Sequence, residues 1–208
     1  MIRRQIWPAI SATVVLMLIT GLVYPLVVTG LAQLLFPRQA NGSLVVRDGR
    51  IVGSALIGQR FAAPDYFHPR PSAAGSGYDP LASGGTNKGP TDRKLADTLI
   101  ANAVASVVAE DGAQRGSIPA DLVTSSGSGL DPDISPASAV VQIARVARAR
   151  NVDSATVAAL VARHVEARQL GVLGEPRVNV LALNLALDSA FPRSTTTKSA
   201  SAKERPIP

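Results

Sequence analysis

The sequence predicts an α+β protein in which a single N-terminal transmembrane helix is followed by one small mixed soluble domain. Its 208 residues are enough for one compact domain with appendages. Only 17% of the residues are charged and the mean hydropathy is +0.19, although the net charge is +6. This combination indicates that apolar residues are concentrated in one segment. After that segment, β-branched runs around turn signals give way to helical periodicities, which is typical of a mixed domain.

Composition excludes several kinds of site. The chain contains no cysteine and two histidines. Disulfides, thiolate nucleophiles and Cys-ligated zinc or iron–sulfur sites are therefore excluded, and no metal site is expected.

The apolar segment predicts a membrane helix over residues 8–36, after a short tail of residues 1–7. The 33 residues between Arg4 and Arg38 carry no charge, whereas roughly 20 apolar residues span a bilayer. The run is too long for a signal peptide and no small-residue cleavage site follows it. We expect Pro25 to bend the helix, with neighbouring helices or hydroxyls such as that of Thr20 satisfying the freed backbone groups. The span holds no ionisable residue, so it is not expected to form an ion pathway by itself.

The soluble domain is predicted to begin with a hairpin and a long loop. Asp48-Gly49 separates strands at Ser43–Val46 and Ile51–Ile57. The proline- and glycine-rich stretch 64–90 predicts irregular structure. Four of the eight aromatic residues fall in or beside it, so we expect an ordered loop that packs either on its own domain or on a partner. These four residues are Phe61, Tyr66, Phe67 and Tyr78.

Helices and one short strand are predicted for the remainder. Thr91 or Asp92 caps a helix that ends near Gly112, and Ile118–Val123 is a strand candidate. Ser135 and Pro136 begin a helix that turns Val140, Ile143, Ala144 and Ala147 inward and leaves Arg145, Arg148 and Arg150 elsewhere. A further helix places Val157, Leu160, Val161, His164 and Val165 on one face. Residues 180–187 fit a strand or, as we favour, a helix capped by Asn179. The domain is predicted to span residues 37–192, before a disordered tail of residues 193–208.

A Ser/Gly-rich loop, Thr124–Gly129, is the segment that invites a ligand-binding interpretation. Backbone N–H groups in such loops attract phosphate, but a phosphate-binding loop needs lysine and threonine or serine at the helix start, where this chain has Asp131 and Asp133. The loop also lacks the glycine and terminal glutamate of a calcium loop. A rigid turn is the alternative. No Ser/His/Asp set and no carboxylate pair emerges from the spacing, so no catalytic residue is predicted, and His68 is expected to be structural.

Three blocks of sequence together resemble the KdpC family, the C subunit of the bacterial Kdp potassium-transporting P-type ATPase. The first is Gly21 to Pro25 in the membrane helix. The second runs from Tyr66 to Ser72 and on to Asn87, and the third from Val123 to Pro136, leading to Gln142 and Arg145. The block from Pro176 to Asp188 fits as well, so the resemblance covers nearly all of residues 1–190.

The resemblance implies a non-catalytic subunit of the high-affinity potassium uptake complex in the bacterial inner membrane. Implied partners are a KdpA-like potassium-binding subunit, a KdpB-like ATPase subunit and a small KdpF-like subunit, forming a heterotetramer; nucleic acid is not an expected partner. The family is described as a catalytic chaperone that raises the ATP affinity of the ATPase subunit, so no covalently bound cofactor is expected and ATP is reached through that subunit. The implied nucleotide-related residues are Ser125, Ser126, Gly127, Ser128, Gly129 and Gln142.

The same resemblance implies a soluble domain outside the cytoplasm, where it cannot touch ATP. An effect on ATP affinity would then be a coupling free energy transmitted through the assembly. The alternatives are a module that contacts ATP directly through the Ser/Gly-rich loop and, with less support, an envelope hydrolase. Docking onto partner subunits is predicted for Pro25, Tyr66, Phe67, His68, Arg70 and Asn87.

Overall fold

A computed structural model describes residues 2–192, and its α+β architecture confirms the predicted fold class. The chain divides into two compact units, Met1–Ser54 and Ala55–Pro208. The tail predicted for residues 193–208 lies outside the described residues, and the predicted domain boundaries stay predictions.

The first unit consists of an apolar helical segment followed by a hairpin. Its helices are α1 (Ile2–Leu18), α2 (Tyr24–Leu35) and the short α3 (Pro37–Ala40), with a π-helical stretch at Ile19–Val23. The run Arg3–Leu35 contains an 18-residue window with a mean hydropathy of 2.3 and is long and apolar enough to cross a membrane. The hairpin pairs β1 (Leu44–Arg47) with β2 (Arg50–Ser54). Both turn residues have positive φ, 51° at Asp48 and 74° at Gly49, as the predicted Asp-Gly turn requires.

The π-helical stretch lies directly before Pro25, and it changes how the proline is accommodated. The N–H of Tyr24 donates to the carbonyl of Ile19, a longer-range bond than in an α-helix. Such local π geometry rearranges the bonding of backbone groups near a proline. The Thr20 hydroxyl donates instead to the carbonyl of Leu16, one turn earlier. The expectation that Thr20 would serve the groups freed by Pro25 is therefore wrong.

The second unit packs helices against a three-stranded antiparallel sheet. The strands β3 (Asp133–Ile134), β4 (Val165–Glu166) and β5 (Arg177–Asn179) run in the order β3-β5-β4. The helices are α4 (Ala101–Asp111, preceded by a π-helical stretch at Leu95–Ile100), α5 (Pro136–Arg150), α6 (Ser154–Arg163) and α7 (Val180–Ala190). The buried core joins residues of α5, α6 and α7 with Ile134, Val178 and Phe67.

Several predicted boundaries are confirmed by their capping contacts. The Ser135 hydroxyl accepts from the N–H of Ser138, with Pro136 in the first turn of α5. The side chain of Asn179 accepts from Ala182 N, so the helical interpretation of residues 180–187 is correct. Gly112, with φ of 69°, ends α4. The long stretch 64–90 is irregular apart from a short 3₁₀ turn at Pro80–Ala82.

The strand expected at Ile118–Val123 is absent from the described fold, which has a 3₁₀ turn at Ala120–Leu122 there. Asp121 explains the difference, because its carboxylate accepts hydrogen bonds from the backbone N–H of Ser135 at 2.7 Å and from the Ser138 hydroxyl at 2.7 Å. These bonds hold the segment against the N-terminus of α5, where a carboxylate also complements the helix dipole.

The predicted inward face of α5 is partly wrong. Val140 and Ala144 are exposed, whereas Gln142 and Arg145 are buried with Ile143 and Ala147. The amphipathic pattern assigns polar side chains to solvent, but these two polar residues bind the backbone of a distant loop. On α6, Val157, Leu160 and Val161 are buried as predicted; His164 caps its end at the core edge, and Val165 lies exposed in β4.

Candidate functional site

An extended loop segment, residues 64–70, passes through the second unit and is held mainly through its backbone. Asn184 of α7 binds Phe67 twice: its Oδ1 accepts from Phe67 N–H and its Nδ2 donates to Phe67 C=O, both at 2.9 Å. Asn184 and the Phe67 side chain are buried. A side-chain amide thus replaces the neighbouring strand that an extended backbone otherwise needs.

Gln142 of α5 binds the next residue in the same way. Its Oε1 accepts from His68 N–H at 2.7 Å, and its Nε2 donates to His68 C=O at 3.1 Å. The same amide also accepts from Arg145 Nη2 at 2.7 Å and donates to the Ser138 carbonyl at 3.3 Å. Gln142 has no exposed surface, and these four bonds use its full donor and acceptor capacity.

Arg145 ties the segment to α4. Its Nη1 donates to the carbonyls of Pro64 and Tyr66 at 2.7 and 2.8 Å. Its Nε donates to Asp111 Oδ1 at 2.7 Å, and both charged side chains of this pair are buried. One guanidinium therefore joins the end of α4, helix α5 and the segment.

Arg150, one turn further along α5, binds the other side of the segment. Its guanidinium donates to the Asp65 carbonyl and to Asp188 Oδ1, at 2.8 and 2.7 Å. It lies 5.0 Å from the centre of the Tyr66 ring, a cation–π contact. The Tyr66 hydroxyl donates to Asp188 Oδ2 at 2.7 Å. Tyr66 is thereby fixed to α5 and α7 of its own domain.

His68 lies at the edge of a groove beside α4. Cavities of about 430, 390 and 270 Å³ share His68 and Glu110 in their walls. Burial, followed by the charge of Arg145, lowers the pKa of His68, and these effects outweigh the Glu110 carboxylate, which lies 3.3 Å from Nδ1 and raises it. Nε2 of the ring lies 3.1 Å from the Ala63 carbonyl.

Arg70 and Tyr78 close the far end of the segment. Arg70 Nη1 donates to Asp131 Oδ2 at 2.9 Å, while its Nε is buried with no hydrogen-bond partner in the described part of the chain. The Tyr78 hydroxyl donates to the Arg70 carbonyl at 2.6 Å. Burial raises the pKa of Tyr78 to about 12.

The Ser/Gly-rich loop packs against a second loop at Ser83 and Gly84. The Ser128 carbonyl accepts from Gly84 N–H at 2.8 Å and from the Ser83 hydroxyl at 3.0 Å. Within the loop, Gly129 N–H donates to the Ser126 carbonyl and Leu130 N–H to the Ser128 hydroxyl. Gly129 has a φ of 66°, and a Cβ there would lie 2.6 Å from the Gly84 oxygen. The glycine is required by this close loop-to-loop approach.

Comparison with known proteins decides the family. Residues 6–189 match a family model described as KdpC, the K+-transporting ATPase c chain. The chain belongs to the KdpC family. A potassium-transporting ATPase KdpC subunit from Gemmatimonas aurantiaca is 68% identical over 94% of this chain and 98% of its own. KdpC subunits from Rhodospirillum rubrum (57% identical, 91% and 97% covered) and Mycobacterium bovis (54%, 89% and 98%) are also similar.

In the second unit of this KdpC-family chain, the hydrogen bonds of Gln142 separate it from the other nucleotide-related residues. Gln142 contacts His68, a residue of the predicted docking group, and none of its hydrogen bonds reaches the Ser/Gly-rich loop. Tyr66, Phe67, His68 and Arg70 are bound into their own domain. Asn87 is exposed with φ of 53°, and Pro25 lies in the first unit.

Sequence reasoning missed most of the side chains that hold segment 64–70 in place, a group we call the clamp. These are Arg145, Arg150, Asn184, Asp111 and Asp188. One signal for them was present, because Asn184 interrupts the apolar run of α7 on its buried face and buried amides need partners. Among residues 2–192, no group of three or more metal-ligating His, Asp or Glu side chains occurs.

Proposed function

We propose that this chain is a non-catalytic accessory subunit of an ATP-driven potassium uptake complex, which it stabilises and whose ATP affinity it raises without touching ATP. Its partners are a potassium-binding subunit, a P-type ATPase subunit and a small single-helix subunit. The observation that carries the proposal is the complete saturation of Gln142 by bonds within its own domain.

A direct nucleotide contact would require Gln142 to leave these bonds. Its amide is fully buried, and its departure would leave the N–H and C=O of His68 unpaired. Leaving a buried polar group unpaired costs on the order of 1–3 kcal/mol. The geometry therefore supports a positioning role, in which Gln142 holds the segment 64–70.

The Ser/Gly-rich loop gives no better support for direct contact. A phosphate cradle needs backbone N–H groups that converge on the ligand. Here the N–H groups of Gly129 and of Leu130, the residue after the loop, donate to Ser126 and Ser128 of the loop. Arginines close to the segment already bind carbonyls and carboxylates of the domain. These contacts favour a structural role for the Ser/Gly-rich loop, which binds the neighbouring loop at Ser83 and Gly84.

Orientation completes the proposal. We place the chain in the bacterial inner membrane as a single-pass subunit with its soluble domain on the outer side. The apolar run Arg3–Leu35 supports the single pass. Because ATP is cytoplasmic, an outer domain can change ATP affinity only through a coupling free energy that passes through the other subunits.

Asn184 provides the matched control that tests this proposal. It performs for Phe67 the same backbone pairing that Gln142 performs for His68, but it is not among the nucleotide-related residues. We expect Gln142→Met and Asn184→Leu to raise the KM for ATP of the purified complex to similar extents, because both loosen the same segment. The ATPase assay at varied ATP checks this.

A change in the KM for ATP that is confined to Gln142→Met would contradict the proposal. Photoaffinity labelling of the whole complex with an azido-ATP gives an independent reading. We expect label on the ATPase subunit; saturable label on this chain that excess ATP removes would favour direct binding.

A further inference from the structure

A hairpin that joins β4 to β5 projects from the second unit with an apolar tip. The strands pair at Val165–Val178 and Glu166–Arg177, and residues 165–175 are exposed throughout. Near the tip, Gln169 and Leu173 exchange two backbone hydrogen bonds of 2.9 Å each. We call residues 165–179 the finger. These backbone bonds give the exposed residues 165–175 a defined shape, and Val178 at the base of the finger is buried in the core.

The tip exposes three large apolar side chains within four residues. Leu170, Val172 and Leu173 are 90, 72 and 56% exposed. Leu170 also has a φ of 53°, a left-handed conformation that asparagine and glycine adopt more easily than leucine. Neither the exposed apolar area nor this backbone conformation stabilises the isolated domain. Non-glycine residues held in such conformations cluster at functional sites.

The charges around the finger indicate what covers the tip. Arg168 pairs with Glu175 at 2.6 Å, and Arg177 pairs with Glu166 and with Asp133 at 2.7 and 3.0 Å. The positive and negative charges at the base of the finger are therefore balanced, because each arginine pairs with a carboxylate. Anionic lipid surfaces bind segments with an excess of Lys and Arg. An apolar centre with a paired polar rim is the layout of a protein–protein interface.

We propose that the finger tip inserts into an apolar socket on another protein subunit of the transport complex. This inference rests on the proposed function, because that function requires partner subunits. The tip supplies the apolar anchor residues, and the paired charges at its base form the polar rim. A preformed hairpin loses little conformational freedom on docking, which favours affinity.

A tip variant can separate docking from folding. In Leu170→Asn with Val172→Thr, the two most exposed of the three apolar side chains are removed while the left-handed position receives a residue that suits it. We expect the thermal unfolding temperature of the full-length chain in detergent to be unchanged or higher. The affinity of the chain for the rest of the complex should fall roughly 10- to 100-fold, the change expected from losing one or two buried apolar side chains, so less of the chain is retained in the complex after detergent washing.

Val140→Thr serves as the matched control, because Val140 is also an exposed valine, 60% exposed, but belongs to α5 and not to the finger. The control should be retained like the wild type. Equal retention of the tip variant and the wild type would overturn the socket inference alone. Failure of the wild-type chain to co-purify with the transporter would overturn the proposed function, and the inference with it.

Cross-linking identifies what lies against the tip. A benzophenone side chain introduced at position 170 in the intact complex is expected to give a covalent adduct with another subunit of that complex on illumination. The same group at position 140 should give no such adduct. An adduct with lipid only, or no adduct at position 170, would overturn the inference.

Discussion

The buried guanidinium of Arg145 provides the sharpest prediction about the clamp. Replacing Arg145 by methionine removes its bond to Asp111 and its two bonds to the carbonyls of Pro64 and Tyr66. Breaking a buried ion pair by removing one partner costs about 3–5 kcal/mol, because the other charge stays buried. For a unit of this size that corresponds to a fall in unfolding temperature of roughly 10–20 °C.

Circular dichroism of the full-length chain in detergent measures this change. Arg148→Met is the matched control, because it makes the same substitution at an exposed position of the same helix, where we expect a change within about 0.5 kcal/mol. Adding Asp111→Asn to Arg145→Met should recover part of the loss, since the unpaired charge is then removed.

Two further readouts separate this explanation from a general loss of packing. Arg145 lowers the pKa of His68, so the His68 ring should titrate at higher pH in Arg145→Met, as followed by NMR. A destabilisation below about 1 kcal/mol, or an Asp111→Asn change that simply adds to the first, would refute the reasoning.

Three other predictions concern the same segment. Tyr66→Phe removes the 2.7 Å bond to Asp188 and should lower the free energy of unfolding by about 1–3 kcal/mol in a denaturant titration; an unchanged midpoint would contradict the contact. Because the pKa of His68 is lowered from 6.5 in the folded chain, the unfolded state binds the proton more readily, so the free energy of unfolding should fall as the pH drops below 6.5. His68→Gln should flatten this part of the pH–stability profile. A profile identical to that of the wild type would contradict this role of His68. The pKa of Tyr78 rises from 10.0 to about 12, so the stability that its neutral hydroxyl contributes is complete below pH 10 and is lost between pH 10 and 12. Ultraviolet absorbance should show a phenol that ionises at high pH and that is missing in Tyr78→Phe.

Local signals predicted the elements whose cause is local. The caps at Ser135 and Asn179 and the Asp48-Gly49 turn each depend on residues a few positions away. Such signals can be read from the sequence because the hydrogen bonds they make are short in sequence separation.

The clamp could not be predicted in the same way, because its partners are far apart in sequence. Arg145 lies on a helix whose amphipathic pattern assigns charged side chains to solvent, and its carbonyl partners at Pro64 and Tyr66 come from a loop about 80 residues earlier. Backbone carbonyls carry no residue-type signal. The aromatic loop was correctly expected to be ordered, but of the two interpretations left open, Tyr66 and Phe67 pack on their own domain.

The finger was missed for a different reason. Its tip lacks a two-residue hairpin signal such as Asn-Gly, and Leu170 takes a backbone conformation that its residue type disfavours. Only the folded chain shows that three apolar side chains of this short segment remain outside.

Site-directed thiol labelling tests most directly the central claim, that this chain raises ATP affinity without touching ATP. The natural chain has no cysteine, so Leu81→Cys, at a side chain that is 97% exposed, introduces a single accessible thiol, and the unmodified chain is the control. We predict that a membrane-impermeant maleimide labels it in cells whose outer membrane alone has been permeabilised, placing the domain on the side without ATP. Protection of the thiol until the inner membrane is lysed would contradict the account.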